Sequence, residues 1–233
     1  MPKLLTVNNA KIQKGTALGF LTAGLHLAPA DASGFNTCPM ASAGCKAACL
    51  NTSGHGRFDF VQNARIAKTQ FFFRERSAFM AQLIKEIAAF IRKAKKSGIT
   101  PAIRLNLTSD IQWETIKHEG KTVFEHFPTV QFYDYSKIAR RFFQPLPTNY
   151  HLTFSRSESN HAVAETVAAA GHNVAVVFSS PDYPRNFMGR EVVSGDETDL
   201  RFLDKRGVVI ALFAKGQAKR DKSGFVVQVQ GLE

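Results

Sequence analysis

Cysteine is scarce in this chain: 233 residues contain three, at positions 38, 45 and 49. An odd number gathered in one short segment argues against a disulfide framework, which uses an even number spread along the chain. No run approaches the roughly 20 apolar residues that a membrane span needs. The first fifteen residues also lack the apolar core and small-residue cleavage site of a secretory signal. A cytoplasmic protein with reduced thiols is expected. Acids are few as well, 19 against 30 lysines and arginines, for a formal charge of +11 and a pI near 9.8. That excess favours encounters with anions or nucleic acid. The bases are dispersed, however, and the densest group (Arg92, Lys93, Lys95, Lys96) falls at the end of a helical pattern, where cations complement the helix dipole. A G-x-S-x-G elbow is absent, which disfavours an ordinary serine esterase.

The chain is 44% hydrophobic and 11% aromatic, enough for one large core in a single domain over 1–233. Glycine-rich, short apolar pieces over 1–37 predict a strand or hairpin leading into a loop. From Phe58 to Lys96 the residues Phe71, Phe72, Phe79, Leu83, Ile84, Ile87, Ala88 and Ile91 recur at three- and four-residue spacing, predicting one long helix or two that end near Gly98.

Four runs rich in β-branched or aromatic residues follow: Ala102 to Leu107, Val130 to Tyr135, His151 to Phe154 and Val174 to Phe178. Helix-length segments separate them, around Trp113 to Glu119, Ile138 to Phe143 and His161 to Ala170. Glu191 to Val193 and Val208 to Phe213 complete the set. The alternation predicts an α/β fold with a parallel sheet, curled by right-handed crossovers into an open or partial β/α barrel, behind an N-terminal cysteine loop (about 36–58) and a long helix. Each of the first four runs ends in serine with polar company: Thr108-Ser109-Asp110, Ser136-Lys137, Ser155-Arg156-Ser157-Glu158 and Ser179-Ser180-Pro181-Asp182. In such a fold these share one edge, the C-terminal ends of the strands, where ligands bind. Some of these residues also cap the helices that follow.

The cysteines form C-x6-C-x3-C among small residues. Buried free thiols, a zinc site and an iron–sulfur cluster are the three readings. Structural zinc would need a fourth ligand, His26 or His55. Cys45 and Cys49 on one helix have Cβ atoms about 5–6 Å apart, whereas thiolates on one zinc must lie within about 4 Å of each other. The C-x2-C turn usual for zinc is missing too. Thiolates on a cluster bind different irons and tolerate wider separation, so a [4Fe-4S] cluster is the expected cofactor. Three thiolates leave one iron open to water, substrate or a further ligand, which permits Lewis-acid chemistry or, alternatively, chelation of S-adenosylmethionine for radical chemistry. The usual C-x3-C-x2-C loop of radical enzymes is not present. His55, between Gly54 and Gly56, can be a ligand, a proton donor or an exposed loop residue, and Arg57 lies beside it.

Cys38-Pro39, Cys45-Lys46-Ala-Ala-Cys49, Gly56-Arg57-Phe58 and Asn63-Ala-Arg65, with the later Ile103-Arg104-Leu105-Asn106, Ser109-Asp110 and Val130 to Lys137, resemble the bacteriophage gene product eighty-eight family over most of the chain. The resemblance implies a phage-encoded protein acting in the cytoplasm of the infected host. It carries Cys38, Cys45 and Cys49 over as candidate cluster ligands, and Arg57, Asn106, Ser109 and Asp110 as polar neighbours. Leu50 stands where the family pattern has an aromatic after the third cysteine, a change in packing that leaves ligation untouched.

The function these readings favour is an enzyme acting on a small-molecule substrate by hydrolytic, esterase-like or other Lewis-acid chemistry. Asp110, Glu114, Tyr133, Arg156 and Glu158 are its candidate acid, base or anion-holding groups, with His55, Arg57, Asn106 and Ser109 about the cofactor. A redox or nucleic-acid-binding regulatory module is the alternative.

Overall fold

The computed structural model of the protein describes residues 3–7 and 15–229. The stretch 8–14 of the expected N-terminal hairpin lies outside the described residues. The elements run β1 (Leu5–Thr6), β2 (Phe20–Leu25), α1 (Ala43–Ala47), α2 (Asp59–Arg74), α3 (Arg76–Lys96), β3 (Thr100–Arg104), β4 (Lys117–His118), β5 (Lys121–Thr122), α4 (Val123–His126), β6 (Gln131–Ser136), β7 (Tyr150–Ser155), α5 (His161–Ala169), β8 (Val174–Phe178), β9 (Asn186–Phe187), β10 (Arg190–Ser194), β11 (Val209–Phe213) and β12 (Val226–Val227).

One sheet runs in the order β1-β2-β3-β6-β7-β8-β11-β10-β9, with β12 also paired to β8. Every pairing from β2 to β10 is parallel; β1 and β9 are antiparallel additions at the two edges. The sheet is therefore a mixed α/β sheet, largely parallel and open at both ends of this path. From β2 to β8 each new strand is laid on the same side of the last, and right-handed crossovers then put the helices on one face. On that face Phe72, Phe79, Met80, Leu83 and Ile87 of α2 and α3 pack against Ile103, Phe132, Phe154 and Val176.

At β10 the order reverses. The chain goes to the outer position first and returns inward to β11, so a right-handed connection must cross the opposite face. The segment between these strands does so. Leu200 and Phe202 cover Ala102 and Tyr133, with the Phe202 ring 5.3 Å from that of Tyr133. Beneath them a buried polar layer forms, with Arg104 donating to Asp199 at 2.7 Å and Arg201 beside Asp204 at 3.2 Å.

The expected single helix breaks into α2 and α3 at Glu75, whose φ of −131° and ψ of 53° is not helical. Gly98 has φ +65°, as a residue ending a helix in the left-handed region requires. The helix expected over Trp113 to Glu119 does not form. Trp113–Thr115 makes one 3-10 turn, and Glu119 and Gly120, with φ of +50° and +78°, turn the chain into the β4–β5 hairpin. Two consecutive positive φ values are the mark of a tight hairpin turn, and Gly at the second makes it affordable here. Ile138 to Phe143 likewise supplies only a 3-10 turn, Ala139–Phe143. No helix among the described residues is long and apolar enough to cross a membrane.

Candidate functional site at the C-terminal edge of the sheet

The cysteine segment lies across the C-terminal ends of the strands, held by the loops that leave them. After β3, Asn106 organises the loop. Its Oδ1 accepts from Ser109 Oγ (2.8 Å), the Ile111 amide (2.9 Å) and Trp113 Nε1 (3.1 Å). The Asp110 amide then donates to the Thr37 carbonyl at 2.8 Å, and Cys38 Sγ stands 3.8 Å from the Thr108 carbonyl. After β7, Glu158 reaches back 114 residues. Its carboxylate accepts from the Gly44 amide and from Ser42 Oγ, each at 2.8 Å. Ser42 in turn is the N-cap of α1 and accepts from the Cys45 amide at 3.2 Å. Glu158 thus satisfies the first turn of the helix that carries Cys45. Gly44 has no room for a side chain, since a Cβ there would stand 2.1 Å from Ser223 Oγ and 2.8 Å from the Glu158 carboxyl. Cys45 itself packs against Ala48, Ala214, Ala218 and Phe225.

The third thiol is tied to α2. Asn51 accepts from Arg65 and donates to Gln62 Oε1 at 2.6 Å, while Gln62 Nε2 donates to the carbonyls of Asn51 and Gly56. The Asn51 amide points at Cys49 Sγ, 3.5 Å away. Gly56 is the residue this closure demands, because a Cβ would meet the Asn51 carbonyl at 2.4 Å.

All three cysteines are free and half-buried. Burial pushes the Cys38 and Cys49 thiols up; Cys45 acts on both and Cys38 on Cys49 electrostatically, so the three share one locality. A raised thiol is the opposite of an activated nucleophile. Burial thus disfavours the thiolate at Cys38 and Cys49. Arg65 is buried beside them, desolvation lowers its pKa, and the one charge-forming group that opposes this is Cys49. A buried guanidinium ordinarily faces a carboxylate; here it donates to Asn51, two residues after Cys49. Among the described residues no three His, Cys, Asp or Glu side chains surround a single metal ion.

The remaining candidates are brought to different places. Asp110 lies near Cys38. Burial raises its pKa against the pull of Arg141, and its oxygens accept from the Lys137 amide (2.8 Å) and from Arg141 (3.1 Å). Glu114 is locked in a two-pronged pair with Arg141, both contacts 2.8 Å. Arg156 donates to the carbonyls of Gly224 (2.7 Å) and Phe225 (3.1 Å), anchoring the segment before β12. Glu114, Arg156 and Glu158 thereby position backbone and loops. Tyr133 faces the other side of the sheet, buried under Leu200 and Phe202, and does not reach the thiols. His55 and Arg57 are exposed on the 3-10 turn Gly54–Arg57.

His26 is the histidine nearer the strand ends. Thr108 Oγ1 donates to the Leu27 carbonyl at 2.6 Å, so the contact at 3.3 Å is satisfied when the His26 Nδ1 carries the proton. Burial, then the charges of Arg65, Arg104 and Lys68, lowers His26 to about 3. A histidine held neutral in the fold supports stability above its unfolded pKa of about 6.5 and loses that support as pH falls from there toward 3. His26→Gln should therefore lose less stability than the unaltered protein between about pH 6.5 and 4, read as denaturant midpoints. An unchanged acid slope would count against the assignment.

The sequence assigns no role of their own to Arg65, Lys137 or Arg141. Arg65 had a signal: with Thr69 and Phe72 it occupies i, i+4, i+7 on the buried face of α2, where a charge is out of place.

These features define a class: a mixed α/β protein with a mostly parallel, sequentially wound sheet and a three-thiol segment laid over the C-terminal ends of its strands. The chain belongs to the Gene product 88 family, whose model matches residues 3–229, in agreement with the phage family it resembles. No curated protein and no solved structure matches the chain.

Proposed function

We propose that Cys38, Cys45 and Cys49 hold an iron–sulfur cluster at the C-terminal edge of the sheet, and that the protein is an enzyme acting on a small molecule that reaches this edge. The observation that supports it is the gathering of three free thiols in one locality with Arg65 buried beside them, a cation whose one charge-forming counterpart among the described residues is Cys49. A Cys49 thiol that turns anionic on binding iron would supply negative charge beside Arg65. Thiolates on different irons stand further apart than the roughly 4 Å of one zinc site, so the lack of a single-ion arrangement is compatible with this donor set.

With three protein thiolates, a four-iron cluster keeps one iron open as a Lewis acid able to polarise a carbonyl or lower the pKa of water. The chain's own groups then do the rest. Glu158 and Ser42 fix the backbone of Cys45, Arg65 balances charge beside Cys49, and Asp110 is the carboxyl beside Cys38 that burial biases toward holding a proton. Of the five proposed acid–base groups it is the one at the thiols, and the hydrolytic reading rests on it.

Protein purified without oxygen should carry iron and labile sulfide and absorb in the visible, and Cys38→Ser, Cys45→Ser or Cys49→Ser should each lose most of that colour. Colourless, iron-free protein would overturn the reading. On loaded protein, hydrolysis of ester or phosphate substrates that falls at least tenfold in Asp110→Asn supports the hydrolytic reading. A spectrum altered by S-adenosylmethionine points to radical chemistry instead.

A further inference from the structure

The turn after Cys49 meets the loop after β11, and the space between them is a cleft of about 560 Å³ lined by Ser53, Gly54, Arg57, Gly216, Lys219 and Arg220, among others. Its lining carries three cations and no carboxylate. The side chains of Arg57, Lys219 and Arg220 make no ion pair or hydrogen bond among the described residues; Arg57 and Lys219 only lean on rings, 5.5 Å from Phe58 and Phe213. Elsewhere on this basic surface cations do find acids: Lys46 with Asp31, Lys205 with Glu191, Lys215 with Asp196. The cleft also holds a buried hydroxyl without a partner, Ser53 Oγ. Gly216, φ +57°, is pressed so close to it that a Cβ would stand 2.1 Å from the Oγ. Three unpaired cations and one unused donor, without an acid, fit a phosphate.

The rim adds a second chemistry. Phe58, 42% exposed, and Phe60, 72% exposed, stack with centroids 5.8 Å apart and planes 13° from parallel. Two large rings stacked in water beside Arg57 form a platform that unpaired bases can extend, while bases inside a duplex cannot reach it. The net charge of +11 draws a polyanion to this surface.

We propose that this surface binds single-stranded nucleic acid, a backbone phosphate in the Ser53–Arg57–Lys219–Arg220 cleft and a base on the Phe58–Phe60 stack. It stands whether or not the thiols carry a cluster. The test uses the full-length protein and a fluorescein-labelled oligo-dT of about 15 nucleotides over a salt series. Phe60→Ala should weaken binding about 5- to 150-fold, the range that base stacking supplies. Arg57→Ala/Lys219→Ala/Arg220→Ala should flatten the log–log salt dependence by about 0.7, the change that losing one phosphate contact makes on a single strand. All four side chains are on the surface, so unchanged melting temperatures confirm intact folds, and iron content measured on Phe60→Ala keeps the cluster question separate. Affinity and slope unaffected by both variants would overturn the proposal. So would a blunt duplex competing as well as the single strand, or adenosine monophosphate displacing it at equal phosphate concentration, which would make this a mononucleotide site.

Discussion

Arg141→Met should destabilise the protein by about 3–5 kcal/mol, the usual cost of removing one partner from a buried ion pair. Arg141 is 2% exposed and holds three groups at once: Asp110 at 3.1 Å, Glu114 by two contacts of 2.8 Å and the Tyr150 hydroxyl at 3.0 Å. Methionine fills much of the volume but leaves two largely buried carboxylates without a cation. For a chain of this size the loss corresponds to a melting temperature lower by roughly 6 to 20 °C. Glu114→Gln added to Arg141→Met removes one stranded charge and should recover part of the loss. A deficit under about 1 kcal/mol would show that the carboxylates find other partners. The damage should extend to the thiols, because the Asp110 amide holds Thr37, next to Cys38.

The same network contains a second group with a strong pH dependence. Asp134 is fully buried in β6. Burial pushes its carboxyl up to about 7, in spite of Arg104, the Asn106 amide at 2.7 Å and the Tyr150 hydroxyl at 3.0 Å, which favour the charged form. The fold therefore keeps a proton that the unfolded chain releases near pH 4. The contribution of Asp134 is greatest in acid and declines as pH rises from about 4 to about 7, by on the order of 4 kcal/mol for a shift of this size. Asp134→Asn should flatten that decline. His26 works in the opposite sense over the acid part of this range, so the informative quantity is the difference between variant and parent at each pH. Urea midpoints taken at half-unit steps supply it, and parallel curves for the two proteins would sink the assignment.

Much of the sheet is visible in the chain. Val174–Phe178 is a strand with the bounds its composition suggests, and β3, β6 and β7 lie within a few residues of the apolar runs that announce them. Parallel strands buried on both faces read as mostly apolar runs, and that needs no knowledge of neighbours. The polar ends of those runs also share one edge, beside the cysteines, because a parallel sheet has no other place for them. The short connections were misread where a local turn outcompeted a weak helical pattern, as Glu119-Gly120 does after Trp113.

The roles of the charged residues were less legible. Glu158 looks like an acid at a strand end, and only the fold turns it into the cap of a helix 114 residues earlier. Glu114 and Asp110 are two candidate acids in the sequence, and only the fold shows Arg141 pairing with both. Tyr133 is one residue from Asp134, yet the alternation of a strand sends the two to opposite faces.

By itself, then, the order of amino acids determines the main strands, the long helical region, the cysteine segment and the edge on which polar groups gather, since these depend on neighbours a few positions apart. Which carboxylate caps, which pairs and which is left near a thiol is decided by contacts between residues dozens of positions distant. Burial sets the charge state of each such group, and burial exists only once the sheet, its helices and the returning β10–β11 connection have closed over it.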